Sequence, residues 1–564
     1  MTNLLGSLET ARQSLNAQRR GLMVTGHNIA NVNTPNYARE QVEIAIDVRG
    51  YSQSGSNVTK VTQVRDKILE NRLRQSIQDS NNWSTQSDQM QKIERLFTDL
   101  DVGGVSGAVA DFWDSWQNLS VDPESKEIAR NVTIGRAQDL VQELKNVNLG
   151  FQSLYEENNT QTHSFVTEVN ELGDSIAKLN RDIAAIEFSG EAANSQRTVR
   201  HGLLTKLSEY TDFTTVEESS GMLQIHLGGF AFVDGDRVGT LVAEDRTPSF
   251  TSLEQPNTKS IIYTEIDQLV KTIASKNQSI LSHRGTTAEV RQIVNERSQH
   301  ENQIQTLFNL AGIENATISD IGDGTGMIKI EVDGELVLEG TKVFGLPDNG
   351  KNNQTHPLTN NQKTVVITDS RSGKEVSIQS GKIGGLMNVR DKQIPRFIER
   401  INSFATTLMA EVNSVHVKGY GLDNTTGIEF FTGESINDMA VNLSLVQSPE
   451  KIGVSSRPDE PGNNEIAFSI TAKRNEFVMS NGTQTLEEYY ASTMTIIGIQ
   501  SQQAQRNEEN NGLLTSQLES FRESVSGVSM DEEMVNLIQF QRAYEAAARY
   551  ISTVDQVMQT LINM

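Results

Sequence analysis

Apolar residues change their period as the chain runs from its ends to its middle. Near the start, Met1, Leu8, Leu15, Leu22 and Ile29 recur every seven residues, with Leu4 and Ala11 falling between. This spacing predicts an amphipathic helix with a narrow seam. It should stop in the run Asn31-Val32-Asn33-Thr34-Pro35-Asn36, because the residue before a proline avoids helical geometry. At the other end, Leu537, Phe540, Tyr544, Ala547, Ile551, Val554, Met558 and Leu561 alternate by three and four residues. Ser529-Met530-Asp531-Glu532 reads as a capping box with acidic residues at the positive end of the helix dipole. No Gly or Pro follows Ser529. An ordinary amphipathic helix would carry a similar stripe, but sustained heptads favour a coiled coil. The helix at the opposite end of the chain is the obvious partner.

Between the ends, residues 61–120 and 124–212 read as long helices, broken at Gly103-Gly104 and at Asp122-Pro123. Ile176, Leu179, Ile183 and Ile186 show the helical period within the second. Residues 380–415 and 484–525 read as helical again. After Phe213, Gly, Thr and Val rise and alternation takes over, which predicts strands. Here the chain repeats itself. GMLQIHLGGFAFVDGDRVGTL starts at Gly221 and GMIKIEVDGELVLEGTKVFGL at Gly326, an offset of 105 residues. Gly221, Ile225, Gly229, Gly235 and Leu241 match Gly326, Ile330, Gly334, Gly340 and Leu346. Two unrelated hairpins could converge on such a pattern; a shared strand order would favour duplication. The expected class is mainly α with β-rich outer insertions (α+β). Four parts are expected: 1–60 with 515–564 as a terminal coiled coil, 61–212 with 375–514 as a helical body, 213–262 as a β-hairpin unit, and 263–374 as an inserted helix-plus-hairpin unit.

Composition sharpens this picture. The chain has 564 residues, which at about 100–200 per domain allows roughly three to five domains. Only 10 are proline, in keeping with long uninterrupted helices. Cysteine is absent, which removes disulfides, thiolate metal sites and a cysteine nucleophile. The net charge of −24 argues against nucleic acid as a partner. No run of ~18 apolar residues occurs, so no membrane insertion is expected. The start of the chain has no basic region followed by an apolar one, so no cleaved secretory signal is expected. The eight histidines make no metal-ligand spacing, and no nucleophile or phosphate-loop motif appears. Asp234-Gly235-Asp236 and Gly322-Asp323-Gly324 lack the remainder of a calcium loop and read as turns. The expectation is a non-enzyme with no cofactor and no metal. The remaining conspicuous feature is the asparagine-rich run from His27 to Tyr37. Asn and Thr side chains can satisfy orphan backbone groups at a helix end. That run is either a simple helix stop or a specific joint.

The segment NIANVNTPNY from Asn28 resembles the signature shared by bacterial flagellar rod, hook and hook-associated proteins. Asn28, Asn31, Thr34, Pro35 and Tyr37 carry it. The end SGVSMDEEMVNLIQFQRAYEAAARYISTVDQVMQTLINM from Ser526 resembles their C-terminal helix. GKIGGLMNVRDK from Gly381, the block from Glu429 that begins EFFTGESIND, and the helical midsection resemble the hook-associated branch. The stretch 263–374 departs from the family by looking enlarged. The resemblance implies a structural role at the junction between hook and filament; a hook or rod protein is the near alternative, and an enzyme or adhesin displayed on a flagellar scaffold the distant one. It implies export through the type III channel and residence in the flagellum outside the cell. Implied partners are copies of the chain itself, in a ring of about eleven subunits per turn, the hook protein, a second hook-associated junction protein, and an export chaperone on the C-terminal helix. The terminal helices would pair and line the axial channel, with Leu8, Leu15, Leu22 and Ile29 facing Leu537, Phe540, Tyr544, Ile551, Val554, Met558 and Leu561.

Overall fold

The computed structural model describes residues 2–49, 52–97, 103–246, 363–480 and 482–562, with parts of helical turns between 269 and 304 and strands between 316 and 343. The chain opens with α1 (Thr2–Ala30), then the strands β1 (Glu40–Arg49) and β2 (Ser52–Gln63). Four helices follow: α2 (Lys67–Leu96), α3 (Gly104–Val121), α4 (Ile128–Phe188) and α5 (Asn194–Tyr210). Asp66 starts α2 by accepting the backbone N–H groups of Ile68 and Leu69. The 61 residues of α4 span about 90 Å at 1.5 Å per residue.

Strands β3 (Thr214–Glu217), β4 (Leu223–Leu227), β5 (Phe230–Asp234) and β6 (Arg237–Val238) form an antiparallel meander, and β7 (Leu241–Arg246) leaves it. A second meander holds β8 (Ala316–Asp320), β9 (Ile328–Val332), β10 (Glu335–Glu339) and β11 (Lys342–Val343). β12 (Thr364–Asp369) returns to pair with β7 from Thr364–Arg246 to Asp369–Leu241. The helix α6 (Gly381–Asn388) runs through one π-helical turn, Val389–Gln393, into α7 (Ile394–His416). Short elements follow: β13 (Phe431–Thr432), β14 (Ala440–Val441), α8 (Leu443–Gln447) and α9 (Glu465–Ala472). The chain closes with α10 (Leu486–Ser526) and α11 (Met530–Ile562).

Two apolar cores organise the body. The first joins α3, the first half of α4, α7 and the start of α10, with Trp113, Trp116, Phe151, Phe397, Phe404 and Phe430 fully buried. The second lies between the far half of α4, α5, α6 and the first meander, around Val169, Ile176, Leu207, Ile225 and Phe232. Gly173 lets that meander onto α4, since a Cβ there would stand 2.5 Å from the Phe232 ring.

Several boundaries differ from the sequence expectation. The strands Glu40–Arg49 and Ser52–Gln63 pair with each other, although helix was expected from 61; the alternation of Val42, Ile44, Ile46 and Val48 was their signal. The boundary expected at 515 falls inside α10, which runs unbroken along α2 as far as Ser526. The boundary expected at 374 falls beyond β12. Because β12 pairs with β7, the insertion spans 247–363 and hangs from that two-stranded ribbon. Gly322-Asp323-Gly324 lies outside the described residues.

The two meanders agree in detail. β4, β5 and β6 lie 105 residues before β9, β10 and β11, and both sheets have the same strand order. In the first, Ile225 pairs with Val233 and His226 with Ala231, leaving Phe232 as a bulge. In the second, Ile330 pairs with Leu338 and Glu331 with Leu336, leaving Val337 as the bulge at the same offset. Bulges are individual features of a strand pair and are rarely placed twice by chance. Shared order, register and bulge favour duplication over convergence.

His416, fully buried at the end of α7, ties the first core to the loop beyond it. Its Nδ1–H donates to the Ile428 carbonyl at 2.7 Å, and its Nε2 accepts the Gly453 N–H at 3.0 Å. The bond at Nε2 requires the neutral ring, and the two bonds together fix the Nδ1–H tautomer. Burial pushes its pKa down from the ordinary 6.5 to about 4, against the pull of the Ile428 carbonyl and with help from Arg130. Arg130, also buried, donates to the carbonyls of Ser125, Ile452 and Pro123 and so pins the start of α4 to the same loop. The folded state keeps His416 neutral while the unfolded chain protonates it below 6.5, so stability drains as the pH falls through that window. By about pH 4 the loss from this group is on the order of 3 kcal/mol. Urea denaturation at neutral and acid pH checks this. His416→Gln should be weaker at neutral pH but lose less than the wild type on acidification.

Candidate assembly site at the terminal helices

The helices α1 and α11 pack against each other, and the hairpin β1–β2 lies along α1. The contact uses small residues on α1 and large ones on α11. Ala11, Ala17, Gly21, Val24, Thr25 and Asn28 are buried on α1. Leu8, Leu15, Leu22 and Ile29 are only half-buried. By helical rotation Leu8, Leu15 and Leu22 sit about a quarter-turn or more from the Gly21 line. The closest approach seen between the two helices thus lies off the heptad line, at Gly21. A Cβ there would stand 2.7 Å from the Phe540 ring. Phe540 fills the space that a side chain on α1 would need, and the two axes come close.

On α11, Val554 is buried, while Leu537, Phe540, Tyr544, Ile551 and Met558 are half-covered. The Leu561 side chain lies outside the described residues. Beside this seam, Met534, Val535, Ile538, Tyr550 and Val557 are 45–64% exposed. Ser529 caps α11 by accepting the Glu532 N–H at 3.4 Å. The reciprocal half of the expected capping box is replaced, since the Glu532 carboxylate takes Arg39 at 2.8 Å instead. A complete capping box occurs at Thr485 and Glu488, at the start of α10.

The asparagine-rich run is a specific joint. Asn28 is 1% exposed and fully satisfied. Its Nδ2 donates to the Glu40 carbonyl, and its Oδ1 accepts both the Glu40 N–H and the Tyr37 hydroxyl, each at 2.9 Å. Burial, with Glu40 and Glu533 nearby, pushes the Tyr37 pKa up, so this hydroxyl stays protonated and keeps donating. Asn31 donates from its Nδ2 to the His27 carbonyl and accepts the Thr34 hydroxyl. Pro35 stays exposed in the turn. Asn36 takes the left-handed conformation at φ 60°. Its carbonyl accepts from Arg65 at 2.8 Å and its Oδ1 from Arg522 at 3.1 Å. The Arg39 N–H donates to Ser526, at the end of α10, at 2.8 Å.

Arg65 also reaches Glu70 at 3.2 Å, and Glu70 faces His201 of α5 at 2.8 Å. Burial raises the Glu70 pKa, but His201, Arg65 and Arg522 outweigh it and hold the carboxyl below its ordinary range. Burial also lowers His201, against the pull of Glu70. Gln63, at the base of the hairpin, closes the joint by donating to Thr198 and to the Asn194 carbonyl. Sequence reasoning missed Gly21, Arg65, His201 and Arg522, and named Asn36 only as one of the asparagines in the run. Only Asn36 carried a local signal, as an asparagine just after a proline in a turn.

Among the described residues no group of three His, Asp or Glu side chains could hold a metal ion, and no helix is long and apolar enough to cross a membrane. A cleft of about 230 Å³ opens beside Arg130, Tyr420 and Arg457, but the Arg130 guanidinium is already occupied by backbone carbonyls.

The close approach at Gly21 is testable. Gly21→Val should push α11 away at a cost of about 1–3 kcal/mol and speed amide exchange in α1 roughly tenfold or more. Combining it with Phe540→Leu should recover part of that loss. Hydrogen exchange on the two single variants and the double reads the coupling, and strict additivity would contradict the contact.

Comparison with known proteins agrees with this architecture. Residues 8–37 match the family described as flagella basal body rod protein, and residues 522–564 match the flagellar basal body rod FlgEFG protein C-terminal family. Residues 90–261 and 258–431 match the flagellar hook-associated protein FlgK helical domain. The flagellar hook-associated protein 1 of Bacillus subtilis is 23% identical over 100% of this chain and 99% of its own length. That of Salmonella typhimurium is 24% identical over 98% and 99%. The solved structure of the flagellar hook junction protein FlgK from Burkholderia pseudomallei shares the fold, with a TM-score of 0.51 at 11% identity over 81% of this chain and 100% of that one. The two ends match axial rod families and the helical body matches the hook-associated domain, so the chain belongs to the flagellar hook-associated FlgK family.

Proposed function

We propose that this chain is a structural subunit of the junction between flagellar hook and filament, and that its terminal helices assemble with copies of themselves. One observation carries the reading. The large residues of α11 are half-covered by α1, and Met534, Val535, Ile538, Tyr550 and Val557 stand beside them largely exposed. Contiguous apolar surface of this kind marks a site of association. Neighbouring subunits would cover it, and each buried side chain would contribute about 1.5–3 kcal/mol.

The finer reading follows the family. Copies form a ring, with about eleven subunits per turn as the resemblance implies. The paired termini line the channel, with Leu8, Leu15, Leu22 and Ile29 on the flank of the pair that faces the next subunit. The chain contacts the hook protein on one side and a second hook-associated protein on the other. It travels through the type III channel and acts outside the cell. A chaperone shields the α11 seam before export. The role is mechanical and needs no cofactor or catalytic group.

Val535 and Ile538 separate assembly from folding, because both are exposed in the single chain. The double variant Val535→Asp with Ile538→Asp should leave the melting temperature of the purified protein unchanged. In a strain carrying only this variant, hooks should form, filaments should be lost and filament subunits should appear in the medium. Normal filaments would defeat the proposal.

A further inference from the structure

The two apolar cores share α4, yet a polar layer separates them. Tyr155 is the last α4 residue of the first core and Val166 the first of the second. Between them α4 buries Asn158, Asn159 and Thr162. α2 crosses at the same level. A Cβ on Gly150 would stand 2.6 Å from Leu96, and Lys92 reaches Glu157 at 2.5 Å. Following this antiparallel course back by one turn brings Gln89 opposite Asn158. The π-helical turn forms the third wall, with Arg390 donating to Asn159 Oδ1 at 3.0 Å and Gln393 at its end.

The amides in this layer are not all paired. Gln89 Oε1, Gln393 Oε1 and both polar atoms of the Asn158 side chain are buried without a protein partner. Thr162 bonds back to the Asn158 backbone carbonyl of its own helix and offers them nothing. A dry, unpaired amide group costs about 1–3 kcal/mol, so four such atoms together would be a heavy burden on one small region. A buried water needs two to four polar partners, and converging amides supply both donors and acceptors.

We propose that Gln89, Asn158 and Gln393 form a buried water site, and that this wet layer lets the two cores shift against each other. Water-mediated bonds re-form after a small displacement at little cost, whereas interlocked apolar side chains do not. The π turn supports the second part. It places an irregular, i→i+5 bonded turn at the level of the layer, inside a helix that otherwise runs from Gly381 to His416. The inference concerns the body alone and does not depend on how the termini assemble.

A high-resolution crystal structure of the full chain, with hydrogen exchange on two variants, tests it. Ordered water should bridge the amides of Gln89, Asn158 and Gln393. Asn158→Leu, similar in volume, should leave Gln89 and Gln393 short of their water partner, lower the melting temperature less than Asn180→Leu does, and slow exchange across 389–393 about threefold or more. Asn180→Leu is the contrast, because Asn180 binds the Leu223 and Gly235 carbonyls directly, and it should lower the melting temperature. Direct amide–amide pairing without water would overturn the site, as would an Asn158→Leu loss equal to that of Asn180→Leu. Unchanged exchange across 389–393 in Asn158→Leu would overturn the shift between the cores.

Discussion

The fold depends on one repeated interaction: an asparagine on a helix or at its end clasps the backbone of a neighbouring extended segment. A primary amide carries a donor and an acceptor side by side, as a peptide group does. It can therefore replace a missing strand. Asn28 holds the N–H and carbonyl of Glu40, and Asn170 those of Leu241. Asn159 takes the Lys363 carbonyl and the Val365 N–H, Asn180 the Leu223 N–H and carbonyl, and Asn413 the Phe431 N–H and carbonyl. Each clasp joins a helix to a β element too small to stand alone. The described sheets have two or four strands, and a two-stranded ribbon is marginal in water. Apolar burial presses the pieces together without direction. The amides fix the height at which each β element sits on its helix. Removing one would leave both backbone groups buried and unpaired, which costs more than the bonds contribute.

This interaction also sets what a sequence can reveal. The long helices were legible because their apolar residues repeat with the period of the helix and Pro123, Gly103 and Pro35 mark their ends. The clasps were not, because their partners are remote in sequence: 71 residues separate Asn170 from Leu241, and 206 separate Asn159 from Val365. Nothing near Asn159 distinguishes it from a solvent-facing asparagine. The β1–β2 pair was missed because its second strand, rich in Ser, Gly and Asn, has little strand character of its own and gains its order from β1 and α1. At the terminal site, Asn28 and Tyr37 were visible through resemblance, but the close approach of α1 to α11 was not. Leucines at heptad spacing drew attention to one flank, while that approach is made at Gly21, whose value lies in what it lacks.

Apolar cores and polar boundaries divide the labour in this chain. Within each core, large side chains interlock and fix one arrangement, as Phe151 and Phe397 do by stacking across α4 and α7. Where two modules meet, the contacts turn polar. Arg65, Glu70, His201 and Arg522 mark the passage from body to terminal helices, and the amide layer marks the passage between the two cores. The β7–β12 ribbon that carries the duplicated meander is fastened by Asn159 and Asn170 on α4. Such boundaries cost stability relative to continuous packing. They supply directional, reversible contacts in return.

The joint at the termini shows why both ends of the chain must be present before either is complete. Asn31 and Thr34 close their turn locally, so the signature can form its own shape early. Its outer contacts come from the far end: Arg522 reaches Asn36 across 486 residues, and Arg39 reaches Glu532 across 493. Contacts of such sequence separation carry a large closure entropy and form late. Until they form, Asn36 holds a left-handed backbone without its Arg522 clamp, and Phe540 has no Gly21 to rest on. The paired surface that would receive another subunit therefore exists only in a chain whose body has already brought its ends together.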